Sequence, residues 1–228
     1  MTSIERTAYP RFPKYRSLRD TEVTIFYTLT KEERILIEQL CEGQRHQLNF
    51  ALLYKTFQKL GYFPDLIDIP KKIIDHIKIL FNTPHNFTIG YKSNRTKRHH
   101  QQLIKEFLGV SSFDKEARHF AVKVALTTSQ TMNNPADIIN VVVEELIHHR
   151  YELPAYSTLD RLVRHSREYV NNSIFKEISI RLTKHIKNEF DIMIQVTTDY
   201  NRTGFNDLKK LPKRTTITHF QELLSHHE

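Results

Sequence analysis

Asn94-Arg95-Thr96-Lys97-Arg98-His99-His100-Gln101-Gln102-Leu103-Ile104-Lys105-Glu106-Phe107-Leu108-Gly109 is the stretch that decides the fold class. Leu103, Ile104, Phe107 and Leu108 recur at three- and four-residue spacing, which gathers them on one side of a helix. Gly109 then supplies the residue that most easily closes a helix in the left-handed conformation. Arg95, Arg98, Gln102 and Lys105 fall at i, i+3, i+7 and i+10, on the opposite side. One face is core, and the other is polar and cationic.

The same grammar extends in both directions. Thr30-Lys31-Glu32-Glu33 has the form of a capping box ahead of Ile35, Leu36, Ile37 and Leu40, so a helix is expected to begin there. Leu48, Ala51, Leu52, Tyr54, Phe57 and Leu60 continue at helical spacing to Gly61, with Pro64 just beyond. Asp68-Ile69-Pro70 opens a third helix with an apolar stripe of Ile73, Ile74, Ile77, Leu80 and Phe81, leaving Lys71, Lys72, Asp75 and Lys78 to face water. Residues 82–91, with Pro84 and Gly90, read as a connector.

Beyond the basic helix, Phe113 to Met132 reads as another. Asn134-Pro135 gives an N-cap followed by Pro at the first helical position, ahead of Ile138, Ile139, Val142, Leu146 and His149 on one buried face. Helices are expected over 158–170 and 173–187. Thr218-His219-Phe220-Gln221 opens a last one that meets no stop signal before Glu228, as expected of a piece of a longer protein.

Composition supports this reading. The chain has 228 residues with 39% hydrophobic and 11% aromatic content, enough for a buried core. Only 5 Gly and 8 Pro are present, too few for the tight turns of a sandwich or barrel. The expected class is all-α: tandem small helical bundles, helix-turn-helix-like, with little or no strand, divided as 1–92, 93–153 and 154–228. Cys41 is the single cysteine, which excludes intrachain disulfides and Cys-rich zinc sites. No apolar run has membrane length and the first residues lack a signal-peptide core, so a cytoplasmic location without membrane contact is expected.

The chemistry of the chain is narrowed by what it lacks. There is no Gly-rich phosphate loop, no Gly-x-Ser-x-Gly elbow and no His-Glu-x-x-His. Glu145-Leu146-Ile147-His148 matches the Glu-x-x-His of di-iron bundles, but such a site needs a second copy and two further inward carboxylates. No metal, cofactor or catalytic residue is therefore expected. Cys41, at the apolar end of a helix, reads as a small buried hydrophobe rather than a nucleophile.

Charge points elsewhere. Lys and Arg total 34 against 26 Asp and Glu, a net charge of +8. The densest basic stretch is 93–112, where Arg95, Lys97, Arg98 and Lys105 face Glu106 alone. Arg can take guanine O6 and N7 in a bidentate pair, Gln can do the same for adenine N6 and N7, and Lys97 and Lys105 can reach flanking phosphates. The inventory suits a major-groove helix, although a solvated surface helix shows the same pattern. Arg161, Arg164 and Arg167, beside Leu162 and Val163, form a second candidate surface, diluted by Asp160 and Glu168. Lys209, Lys210, Lys213 and Arg214 flank Leu211-Pro212 and could clamp a phosphate backbone.

A resemblance sharpens this. Glu152-Leu153-Pro154-Ala155-Tyr156-Ser157-Thr158-Leu159-Asp160-Arg161-Leu162 resembles a string found in the N-terminal region of Tn-three family transposases, with Tyr156 where the family has Phe. Shorter matches include Tyr9-Pro10-Arg11-Phe12, Leu60-Gly61-Tyr62-Phe63-Pro64 and Pro135-Ala136-Asp137-Ile138. The resemblance implies a region that binds the double-stranded terminal inverted repeats of a transposon, in a bacterial, nucleoid-associated setting. It also implies a catalytic domain elsewhere in the full protein and self-association through that remainder. The rival expectation is a helical protein-interaction module, suggested by residues 113–153, where six acids outnumber four bases.

Overall fold

The computed structural model describes residues 3–13, 18–84 and 87–197, together with residues 202, 203, 217 and 221. Its helices are α1 (Asp20–Tyr27), α2 (Lys31–Leu40), α3 (Gln44–Leu60), α4 (Lys71–Leu80), α5 (Asn94–Leu108), α6 (Lys115–Ser129), α7 (Pro135–His148), α8 (Tyr156–Arg181) and α9 (Lys184–Ile194). Two-residue strands, β1 (Val196–Thr197) and β2 (Arg202–Thr203), pair antiparallel. The class is all-α. The chain divides into two compact units, residues 1–171 and residues 172–228.

Two apolar clusters organise the first unit. Val23 and Tyr27 of α1, Ile37 of α2, Leu48, Phe50 and Leu52 of α3, Ile73 and Ile77 of α4 and Ile104 of α5 make one. Residues on both sides of position 92 thus share a core. Ala121 and Ala125 of α6, Ile138, Val142 and Leu146 of α7 and Leu159 and Val163 of α8 make the other, with Tyr9 from the N-terminal segment. The Tyr9 hydroxyl donates to the Pro154 carbonyl at 2.8 Å, satisfying a polar group that burial would otherwise strand. The buried alanines Ala117, Ala121 and Ala125 lie one turn apart, and their small side chains let α6 and α7 pack closely.

Local signals act as their chemistry requires. Thr30 Oγ1 accepts from the Glu33 amide at 3.2 Å and Glu33 Oε2 accepts from the Thr30 amide at 2.8 Å, completing the capping box. The same carboxylate pairs with Lys55 of α3 at 2.7 Å, with both side chains largely buried, so one cap also fastens α2 to α3. Gly61 closes α3 with φ 73° and Asn134 caps α7 through the Ala136 amide.

Four sequence expectations are corrected. Lys78 is buried rather than facing water, because the chain folds back over it: the Thr83 amide and hydroxyl both donate to the Lys78 carbonyl at 2.9 Å. His149 lies outside the buried face of α7; the helix has ended at His148, and its exposed ring returns to the Glu145 carbonyl at 3.0 Å. Phe107 is 53% exposed, since the buried line of α5 runs through His100 and Ile104 and leaves it at the rim, near Tyr54. The two helices expected over 158–187 are instead the continuous α8 and the separate α9, with α8 running unbroken through the weak helix formers Asn171-Asn172-Ser173. Helix α1 has no counterpart among the sequence expectations. The helix anticipated at Thr218-His219-Phe220-Gln221 lies largely outside the described residues.

Candidate nucleic-acid interface

Helix α5 is fixed from within. Ile104 is fully buried, and one turn earlier the His100 ring sits among Phe50, Tyr91 and His46. His100 Nδ1 meets the Tyr91 hydroxyl at 2.7 Å and Nε2 meets Cys41 Sγ at 3.7 Å. Burial, reinforced by the neighbouring His46 and His99, pushes the His100 pKa down to about 4, so the ring is neutral at physiological pH. Burial likewise pushes the Cys41 thiol up to about 11, which leaves no thiolate and agrees with its reading as a packed hydrophobe.

The ends of α5 are pinned as well. The Ser93 hydroxyl accepts from the Arg95 amide at 3.2 Å. At the other end Gly109 adopts φ 63°, the Val110 amide donates to the Lys105 carbonyl at 2.9 Å and Arg150 reaches the Leu108 carbonyl at 3.3 Å.

What this rigid helix offers to solvent differs from the face drawn from spacing alone. Arg95, Arg98, His99 and Gln102 are exposed and occupy one strip that starts in the first turn of the helix. Among the described residues the guanidiniums of Arg95 and Arg98 have no acidic partner, while Gln102 Nε2 donates to Glu106 at 2.8 Å. Lys97 lies off the strip, half-buried and paired with Asp65 at 2.9 Å. Lys105 is more firmly held: it bonds Ser112 and pairs with Glu152 at 3.2 Å, with only 14% of its side chain exposed. Three of the four residues expected on one cationic face are therefore together and free to be touched, and the fourth is tied back to the loop before α8.

The second candidate surface is also divided. Arg161 is exposed with no side-chain partner among the described residues. Arg164 is paired with the buried Asp160 at 3.2 Å, and Arg167 is half-buried, donating to Asn133 at 2.6 Å. Lys209, Lys210, Lys213 and Arg214 lie outside the described residues. Sequence reasoning missed Arg118 of α6, exposed and facing the same groove as Arg161. The net acidity of residues 113–153 hid it; the i, i+4, i+8 row Arg118, Val122, Leu126 is the signal that would have found it. No grouping of three metal-ligating side chains occurs among the described residues.

Comparison with known proteins adds to this geometry. A family model described as "Domain of unknown function (DUF4158)" matches residues 1–166. The chain belongs to the DUF4158 family. This DUF4158 chain is also 24% identical over 210 residues to the transposase for transposon gamma-delta of Escherichia coli strain K12, covering 90% of the chain and 21% of that protein. It is 21% identical over 199 residues to the transposase for transposon Tn501 of Pseudomonas aeruginosa, covering 86% of the chain and 20% of that protein. The likeness to transposases read from the string at 152–162 thus extends over most of the chain. The chain spans about a fifth of the length of these relatives. No helix among the described residues is long and apolar enough to cross a membrane.

Proposed function

We propose that this chain binds double-stranded DNA and recognises the terminal inverted repeats of a transposon as part of a transposase. The observation that carries the reading is the exposed strip of Arg95, Arg98 and Gln102 on a helix anchored by His100 and Ile104. Two guanidiniums without acidic partners, one turn apart, match the spacing needed to reach neighbouring base edges. Gln102 exchanges an exposed hydrogen bond to Glu106 for one to adenine at little cost. Arg95 and Arg98 lie in the first half of α5, so the N-terminal end of the helix leads into the groove and its dipole favours nearby phosphate.

The lysines take different parts. Asp65 is largely exposed, which leaves its pair with the half-buried Lys97 weak, and Lys97 can turn to a flanking phosphate. Lys105 serves structure, holding the end of α5 to Glu152. Arg161 contributes a further cationic contact, and the phosphodiester chemistry of the transposase belongs to residues beyond this chain. Fluorescence anisotropy of the full chain with duplex from a transposon end, against a scrambled duplex of equal length, tests the reading. Affinity at least about a thousand-fold higher for the transposon end is the expected result, and equal affinity for both refutes sequence-specific recognition.

A second reading, self-assembly, is favoured by Phe175 and Ile178 of α8 and Phe190 of α9, apolar side chains exposed by 66%, 49% and 48%. Light scattering at high salt without DNA separates the two, because an assembly module oligomerises there and a DNA-binding monomer does not.

A further inference from the structure

Helices α6 and α8 run parallel. At one end Ser111, just before α6, is bridged to Tyr151, just before α8: the Ser111 amide donates to the Arg150 carbonyl and the Glu152 amide to the Ser111 carbonyl, both at 2.8 Å. At the other end Asn133, beyond the last residue of α6, accepts from Arg167 in the third to fourth turn of α8. Between the two helices lies an open groove of about 550 Å³, within the size range of small-ligand sites.

The groove is polarised. Arg118 and Arg161 each stand within two turns of their helix starts, and the parallel arrangement brings them to the same end, where both helix dipoles add positive potential. Neither guanidinium has a side-chain partner among the described residues, and no carboxylate lines the groove. Further along, the walls are mainly Val122, Leu126 and Leu162, with the polar His165 and Ser166 between them on α8, and Tyr169 stands 69% exposed with no ring partner among the described residues. Tyr169 is eight residues on from Arg161, about 12 Å along the helix axis.

The geometry points to a binding site for one unpaired nucleotide, with its phosphate between Arg118 and Arg161 and its base over the apolar walls against Tyr169. A duplex offers only base edges and a hydrated backbone, which such walls do not match; an unstacked base offers a flat apolar face. An acidic helical peptide would match the cations, but its alternating carboxylates would not follow a groove charged at one end and apolar at the other. A nucleotide within a DNA strand and a free nucleoside monophosphate share this chemistry. The strand source rests on the DNA-binding reading above, and the free source does not.

The test uses the full chain and two measurements. First, anisotropy compares a blunt transposon-end duplex with the same duplex carrying a three-nucleotide single-stranded overhang. The overhang is expected to bind about ten-fold tighter, the worth of stacking one base on an aromatic ring. Tyr169→Ala and Arg118→Gln are each expected to erase that difference while leaving blunt-duplex affinity within about two-fold. Second, amide shifts are followed on adding deoxyadenosine monophosphate, inorganic phosphate or a glutamate-rich helical peptide. Shifts at Arg118, Val122, Leu162 and Tyr169 with the nucleotide, but only at the arginine end with phosphate, support the site even if no duplex binds. Equal overhang and blunt affinities with no clustered nucleotide shifts overturn it. So do identical responses to phosphate and nucleotide, which mark an anion site only, or displacement of the nucleotide by the peptide at lower concentration, which assigns the groove to a protein.

Discussion

Replacing His100 with Gln is expected to flatten the dependence of stability on acid. The native ring titrates at about 4, against 6.5 for the free side chain, because the folded protein disfavours its charged form. The unfolded chain therefore takes up a proton first as pH falls. The stability tied to the neutral ring is fully present above pH of about 6.5 and is lost as pH falls towards about 4. From these two values, the loss at pH 5.5 relative to pH 7.5 is about 1 kcal/mol, and the full loss below pH 4 approaches about 3 kcal/mol as an upper bound. Urea unfolding followed by circular dichroism at the two pH values, for the wild type and His100→Gln, isolates this one site from the other titrating groups. The variant is expected to be less stable at pH 7.5, through poorer packing against Phe50 and Tyr91, and to lose about 1 kcal/mol less than the wild type on acidification. Parallel pH profiles for the two proteins would refute the assignment of His100 as a neutral anchor of α5.

Lys55→Met is expected to cost about 3 kcal/mol in urea unfolding, because it strands the largely buried Glu33 carboxylate; a cost under about 1 kcal/mol would show that the pair is not what joins α2 to α3. Thr30→Ala removes the other half of the same cap and is expected to cost about 1 kcal/mol by the same assay, with Thr30→Ser close to wild type. Gly61→Ala and Gly109→Ala both force a side chain into the left-handed region, at about 1 kcal/mol each. Gly61→Ala is expected to be the worse, since its new Cβ falls 3.2 Å from Leu153 Cδ1 whereas that of Gly109 has only the end of Arg150 at 4.0 Å. Equal losses in thermal unfolding would contradict that difference.

Much of the fold was legible because its signals are local. The capping box at Thr30, the Gly61 and Gly109 closures and the Asn134-Pro135 start each depend on residues within one turn, and each behaves as its chemistry dictates. What escaped depends on distant partners. Lys78 reads as a solvent-facing lysine until the chain turns back over it at Thr83. Lys105 falls on the polar face of α5 by spacing, and only the approach of Glu152, 47 residues away, withdraws it. His100 lies within the basic stretch 93–112, yet its ring is buried beside Phe50 of the first core. The candidate site was thus half legible: periodicity gave the helix and the Arg95, Arg98, Gln102 strip, while the pairings that tie back Lys105, Arg164 and Arg167 are tertiary facts. The groove between α6 and α8 is likewise invisible to one-dimensional spacing, since it needs both helices in parallel.

The salt dependence of duplex binding, measured for the wild type and for Arg95→Gln with Arg98→Gln, tests the central claim most directly. A log–log slope of about −4 or steeper is expected for the wild type, with the double variant shallower by about 2 because two phosphate-neutralising or base-reading cations are gone. Unchanged slope and affinity in the double variant, with helicity intact, would contradict the assignment of α5 as the element that meets DNA.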